Sequence, residues 1–415
     1  MAKASDNFNR ADENPMTGWT GGFTSTESYQ IVSNRPKGLV VNNVQEMSFN
    51  GVSPGGDQYV KVQTGSFNSS PAATYAYSLH TRKKATPDRE YYFGKYTRTS
   101  TPTNTTEIRK ILTGSGSTGL ASESTSDFLT AADEMTVLCR GSNISLFKNG
   151  TPLLNATDSG ITTGNTGLGG QVTTGGSLTD MLMDNFSAGD LPITFVAAGT
   201  EGSAASGNVS PGLPAGIQAN DILIMVYHGS DQVAVTVDAA WTAAVTQANG
   251  GSTTSRMGVW WHRYDGSTNP STTITHASGQ TPIAGIAAFR GCKTSGSPIN
   301  AAGTIAGGTD ATMEAGTITP TVDNCLVLAL NGAADDNART LLAGYTNVFV
   351  DGANNAFVST AGTPDGSVSM FFRDWPTASV ATGTVTVTMA ASDPWAAVLI
   401  ALEPASTDVT LTVGQ

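Results

Sequence analysis

Between Tyr29 and Gly189 short apolar runs recur at close intervals, each bounded by Gly, Pro, Asn, Asp, Ser or Thr. They read YQIVSN, GLVV, DQYVKV, TYAYSL, EYYFGKYT, TEIRKIL, MTVLCR, NISLFK, TPLLNA and MLMDNF. No segment of the chain keeps apolar residues at i, i+3, i+4 and i+7 for three turns before Gly, Pro or a β-branched run interrupts it. Short strands with turn residues between them build sandwiches, so the expectation is an all-β chain with few, short helices. At 415 residues one core is too small a unit, and two β-sandwich (jelly-roll) domains in tandem are expected.

The strongest local signal is ISLFKNGTPLL. Asn149-Gly150 supplies two residues that tolerate positive φ, as a type I′ hairpin turn needs. That turn sets Lys148 opposite Thr151 and Leu146 opposite Leu153. A second signal is the tripeptide Asp-Asn-Phe, at 6–8 and again at 184–186. It reads as two strands paired at the ends of one unit, as chance, or as a metal site drawing on Asp6 and Asp184. Two carboxylates are few for a hard cation, which collects six or more oxygens.

The passage MTVLCRGSNISLFKNGTPLLNATDSGITTGNTGLGG resembles the late strands of concanavalin A-like (laminin G-type) lectin and glucanase jelly rolls. Gly141, Ile144, Leu146, Phe147, Asn149 and Gly150, then Thr157-Asp158, then Gly164, Gly167 and Leu168 carry the likeness, and DNFNRAD resembles the first strand of such domains. The resemblance covers residues 1–190 and implies first and last strands side by side, with Phe8 and Phe186 facing the core. The glucanases of that class carry E-x-D-x-E on one strand, so that alternate carboxylates share a cleft. This chain lacks it, and its nearest acidic pair, Asp133-Glu134, falls on opposite strand faces or in a turn. No catalytic residue is assigned, and the chain is not expected to be an enzyme.

Other signatures fail in the same way. GSGSTG, at 114–119, matches G-x-G-x-x-G but leads into ASESTSDF rather than a helix that could face a pyrophosphate, so it reads as a turn. The nucleotide-binding G-x-x-x-x-G-K-[ST] and the hydrolase G-x-S-x-G do not occur. His80, His228, His262 and His276 stand on separate segments without metal-ligand spacing, and no cofactor is expected. With 33 acidic against 21 basic residues the net charge is −12, which opposes nucleic-acid binding. The Arg82-Lys83-Lys84 cluster reads as a solvated hairpin end. MAKASDNFNR has no signal-type apolar core, and Trp395–Leu402 is too short to span a bilayer, so no membrane insertion is expected. Cys139, Cys292 and Cys325 sit in or beside apolar runs, which fits synthesis in a reducing compartment without a disulfide framework.

A boundary falls at SAGDLPITF. Beyond it, within 191–404, matched segments follow one another in the same order. NDILIMVYHG matches DNCLVLALNG, AAWTAAV matches AGYTNVF, VWWHRYD matches SMFFRDW, and TTITHASGQTPIAGIAAF matches VTVTMAASDPWAAVLIAL. They suggest an internal duplication, about 217–291 and 320–404, ahead of a polar tail at 405–415. The opening at Pro214 and Gly216–Ile224, Trp241-Thr242, Ala288–Gly291 and Ile400–Pro404 resemble β-sandwich domains of bacteriophage virion proteins and bacterial surface proteins.

The candidate ligand-binding stretch is Trp260-Trp261-His262-Arg263-Tyr264-Asp265. On a strand Trp260, His262 and Tyr264 share one face, and Trp261 and Arg263 the other. Trp260, Trp261, Tyr264 and Asp265, with Trp375 and Trp395 at the matching positions of the repeat, could stack and bind a sugar, or pack. The resemblance implies a tailed-bacteriophage structural or adhesion protein on the capsid or tail surface, made in the host cytoplasm. Other virion proteins, further copies of the chain and host-surface glycans would be its partners. A bacterial carbohydrate-binding surface protein and a glycan hydrolase with an unrecognised site are the other readings.

Overall fold

The computed structural model describes strands Lys3–Asp6, Trp19–Gly21, Tyr29–Val32, Arg35–Gly38 and Gln45–Phe49, then residues 56–405 except 68–73, 85–89, 99–103, 114–115, 126–128, 174–180, 251–253, 278–280, 341, 352–353 and 360–364. The protein is all-β, with no helix among the described residues, and its sheets form tandem β-sandwiches. The chain divides between Leu191 and Pro192 into two compact units.

In the first unit a six-stranded sheet runs in the order Lys3–Asp6, Met181–Asp190, Gln58–Phe67, Glu134–Arg140, Asn143–Lys148, Thr151–Thr157. Facing it, a seven-stranded sheet runs Ser117–Thr125, Asn104–Ile111, Tyr91–Arg98, Tyr75–Lys83, Asn165–Val172, Gln45–Phe49, Trp19–Gly21. Alternate residues of both sheets, among them Val60, Val62, Tyr75, Tyr77, Tyr92, Tyr96, Val137, Leu146 and Phe186, fill the core between them. Gly94 lets the sheets close: a Cβ there would sit 2.4 Å from Val137 Cγ2.

The repeated tripeptide marks a real pairing. The first strand lies antiparallel beside the last, with Asp6 opposite Phe186, and Phe186 is buried in the core. Phe8 and the side chain of Asp6 lie outside the described residues. Asp184 is opposite Gln63, and its carboxylate accepts from the Asn185 amide at 2.9 Å.

The Asn149-Gly150 turn has φ values of 49° and 75°, as type I′ requires. Lys148 faces Thr151 as expected, but Leu146 faces Leu154, not Leu153, because the edge strand bulges after Pro152. Pro152 has no N–H to give a ladder, and a bulge on an edge strand accommodates it. GSGSTG was expected to be a turn, and its Gly114 and Ser115 lie outside the described residues, but its Ser117, Thr118 and Gly119 open a strand, Ser117–Thr125. Its Ser, Thr and Gly residues form an exposed edge, where no apolar alternation is needed.

The second unit uses one strand arrangement twice. Its first sheet runs Thr194–Ala198, Ile283–Arg290, Ile222–Gly229, Arg256–Arg263, Thr242–Asn249, with Gly202–Ser203 also on Ile283–Arg290. The second runs Ile299–Ala302, Val385–Leu402, Cys325–Ala333, Gly366–Trp375, Thr346–Asn347, with Ala306–Ala315 also on Val385–Leu402 and Phe357–Ser359 on Gly366–Trp375. Each sheet is one contiguous stretch of chain. Between them Ile222, Ile224, Val226, Val259 and Phe289 meet Leu326, Leu328, Leu330, Met370 and Leu402. Both outer faces are covered as well: Met225, Tyr227 and Trp260 lie in one outer core, Val327, Ala329, Phe371 and Trp375 in the other.

Positions in the two sheets correspond with a slip relative to the sequence match. Ile222 lies opposite Arg263 and Phe289, and Leu326 opposite Asp374 and Leu402. Thr242 lies opposite Trp261, and Thr346 opposite Phe372. The equivalents of Trp260 and Trp261 are therefore Phe371 and Phe372. Trp375 and Trp395 do not occupy their positions.

Candidate functional site

The aromatic residues singled out in the sequence do not converge. Trp260 fills the outer core of its sheet at 6% exposure, whereas Trp261, on the opposite face, is half-buried against the core between the sheets. The Arg263 guanidinium sits 5.7 Å from the Trp261 ring and is anchored by Nη2 donating to the Lys293 carbonyl at 2.7 Å. Tyr264 exchanges main-chain hydrogen bonds with Asn220 and Asp221 at 2.8 and 2.9 Å. Asp265 is a turn cap, its Oδ1 accepting from the amides of Ser267 and Thr268 at 2.7 Å each, which holds its carboxyl down at about 2. Trp375 and Trp395 belong to the outer core of the other sheet, where their Nε1 atoms donate to the Val380 carbonyl (3.0 Å) and Asp310 Oδ1 (3.2 Å).

A better-assembled constellation lies on the outer face of the first unit's seven-stranded sheet. Strand alternation turns Tyr92, Gly94 and Tyr96 inward and Tyr91, Phe93 and Lys95 outward. His80 lies opposite Phe93, Lys95 opposite Glu107, and Phe93 opposite Arg109, which puts all of them on one face. The His80 ring stacks on Tyr91 at 4.7 Å and meets Phe93 edge-on at 5.9 Å. Its Nε2 is hydrogen-bonded to Ser78 Oγ at 2.9 Å. Gly169, on the adjacent strand, makes room: a Cβ there would come within 2.4 Å of Ser78 Oγ and 2.8 Å of His80 Nε2. Lys83 Nζ stands 5.4 Å from the Tyr91 ring.

Beside this buried aromatic group runs a charged row that reaches solvent. Glu107 accepts from Arg109 Nη1 at 2.5 Å and lies 4.0 Å from Lys95 Nζ. Arg109 also donates to Ser117 Oγ at 3.2 Å and to its carbonyl at 3.1 Å. The Lys95, Glu107 and Arg109 side chains are 28%, 19% and 25% exposed, enough to meet a ligand while held in place. Such a row offers a fixed carboxylate and two cations to hydroxyl or anionic groups, with the aromatic group beside it on the same face. Sequence reading passed over it because EYYFGKYT was taken only as a strand. The parity of Tyr91, Phe93 and Lys95 was the available signal.

Several other carboxylates of the first unit hold structure together. Burial pushes Asp133 up, but hydrogen bonds from Asn149 and Thr130 and the Lys148 charge outweigh it, leaving the group below its usual range. Asp158 is likewise low: its burial is overcome by Lys110, by Tyr92 Oη donating at 2.5 Å and by the Gly160 amide. Asp133 and Glu134 thus sit at the turn into Glu134–Arg140, clamped to the hairpin by Asn149.

In the second unit Asp335, Asp336 and Asp365 bring carboxylate oxygens within 4.8 Å of one another. Burial and the neighbouring carboxylates raise Asp336, and burial with Asp335 raises Asp393. This group is not the Asp6 and Asp184 pair of the sequence reading, and acidic surface groups of this kind are common without an ion.

The molecule is thus an all-β protein of tandem sandwiches with a polar and aromatic outer sheet face. No protein-family model matches the chain, and no curated protein does. Solved structures resemble part of it. A carbohydrate-binding module, CBM66 from Bacillus subtilis, is 14% identical over 42% of this chain and 94% of its own, with a TM-score of 0.31. The CBM2 module of the evolved Dit of Lactobacillus casei BL23 phage J-1 is 12% identical over 44% of this chain and 93% of its own, with a TM-score of 0.32. A family 16 endo-glucanase from Bacteroides ovatus is 11% identical over 44% and 96%, with a TM-score of 0.30. Likenesses of this size transfer neither ligand nor activity.

Proposed function

We propose that this chain is a non-enzymatic structural and adhesion protein of a tailed-bacteriophage virion surface, touching host glycans through the outer face of its first unit's seven-stranded sheet. The observation that carries the adhesive part is the row Lys95–Glu107–Arg109, part-exposed, pre-paired and backed by the His80, Tyr91 and Phe93 rings. A pre-paired row costs little side-chain entropy on binding, which suits shallow, repeated contact. Many copies on one particle multiply weak contacts through effective concentration.

The virion setting, with other virion proteins and copies of itself as partners, rests on the sequence resemblance of the second unit. Display rather than hydrolysis is the reading taken because the sequence lacks the E-x-D-x-E strand that places two carboxylates in one cleft. A glycan array probed with the full chain and with a Lys95→Ala/Arg109→Ala variant tests the reading. Binding by the parent that the variant loses supports it. Binding that survives in the variant but is lost in Trp261→Ala moves the site to the second unit and overturns it.

A further inference from the structure

On the outer face of the second unit's second sheet, Asn331 and Ser369 lie directly opposite each other, and Ser367, two residues along, shares their side. Arg339, 3% exposed and bridged through its main chain to Met389, reaches Ser367. Its Nη2 donates to Ser367 Oγ at 2.9 Å, and Ser367 Oγ in turn donates to the Asp335 carbonyl. Among the described residues the remaining donors, Nε and Nη1, have no partner, and neither have the Asn331 amide nitrogen and the Ser369 hydroxyl. All four residues are buried, with Asn331 at 1% and Ser367 and Ser369 at 0% exposure.

An uncompensated guanidinium in such a place is costly, because taking the ion out of water is not repaid by a counter-charge. Burial alone pulls Arg339 down to about 9, with no contribution from any carboxylate. Asp335 meets the arginine through its carbonyl, by way of Ser367 Oγ, while its carboxylate is grouped with those of Asp336 and Asp365. What the cluster lacks is an acceptor with charge: it presents N–H and O–H donors and one cation.

We propose that Arg339, Asn331 and Ser369 hold a small inorganic anion of halide size inside the second unit. Full burial limits the guest to that size and requires it to enter with folding or by local opening. The anion accepts from the open guanidinium donors, the Asn331 amide and the Ser369 hydroxyl, and supplies the missing charge. Buried water is the competing occupant, since it also satisfies orphaned polar groups, but it brings no charge.

The test is thermal unfolding of the full chain at fixed ionic strength, with chloride replaced stepwise by gluconate, which is too large to enter. Binding to the folded state alone predicts that Tm rises with chloride concentration. Arg339→Met should abolish the dependence, and Ser369→Ala, a milder change, should shift it to higher chloride. Crystals soaked in bromide should give an anomalous peak beside Arg339. A Tm indifferent to chloride in the parent, together with no bromide peak, leaves only water in the site and overturns the proposal. A chloride dependence that persists unchanged in both variants overturns it as well.

Discussion

Arg82 in the first unit and Arg339 in the second are the most deeply buried arginines described, and they are treated in opposite ways. Arg82, 2% exposed and with φ of 51°, donates from Nε to the Gly56 carbonyl (2.7 Å), from Nη1 to Ile161 (2.9 Å) and from Nη2 to Gly141 (2.7 Å), with Asp57 at 3.7 Å. Arg339 has Ser367 and, among the described residues, nothing for Nε and Nη1. Around Arg82 main-chain carbonyls satisfy the guanidinium, so that one side chain ties three loop segments together. Around Arg339 the described residues supply no such carbonyls for Nε and Nη1. The difference teaches that burial of charge is not by itself a stabilising device; what matters is whether the donors find acceptors.

Removing each arginine breaks the comparison most sharply. Arg82→Met orphans three carbonyls and is expected to cost about 3–5 kcal/mol. Arg339→Met, in chloride-free buffer, is expected to be neutral or stabilising, by up to about 1–4 kcal/mol, because it removes an ion that nothing offsets. Urea unfolding of both variants beside the parent measures the pair. Equal losses would show that the two sites are alike after all.

Carboxylates extend the contrast at a smaller scale. Asp158→Asn in the first unit loses charge-assisted bonds from Lys110 and Tyr92 and should cost about 1.5–3 kcal/mol. Asp393→Asn in the second relieves repulsion from Asp335 and should stabilise slightly, by about 0.2–1 kcal/mol. Thermal melts at neutral pH read both signs.

Falling pH should separate the units in the same sense. Asp133 and Asp158 have lowered folded values, so their stabilisation is present above the ordinary carboxylate pKa of about 3.9 and is lost as pH drops through the lower folded value. Asp336 and Asp393 have raised folded values; they weaken the second unit at neutral pH, and it firms as they protonate. Hydrogen exchange along an acid titration should show the strands around Asp133 and Asp158 loosening before those around Asp336 and Asp393. Gly150→Ala should cost about 1–2 kcal/mol from strain at φ 75°, measured by the same urea unfolding.

Legibility in the sequence followed the burial of the faces. Asn149-Gly150 announced its hairpin because turn chemistry is local. The paired ends of the first unit were visible because Phe186 repeats a motif at the other terminus. In the second unit the order of the repeated strands was readable, and the match of Phe289 with Leu402 was in register. The match of Ile222 with Cys325 was one residue out. Both sheets there are covered on both faces, so ILIMVY and CLVLAL are apolar at every position, and no polar alternation fixes which side is which. The same ambiguity left packing and sugar binding both open for Trp260 and Trp261, which lie against two different cores. The outer face around His80 was missed for another reason: its members come from separate strands, and only the ladder brings them together.

The central functional claim is that recognition belongs to the first unit, not to the tryptophan-rich second. Hydroxyl-radical footprinting of the full chain, with and without a host-cell surface polysaccharide, tests it side chain by side chain. Protection is predicted at Lys95, Glu107 and Arg109, with Trp261 and Tyr264 unchanged. Protection confined to Trp261, Arg263 and Tyr264 would contradict the account.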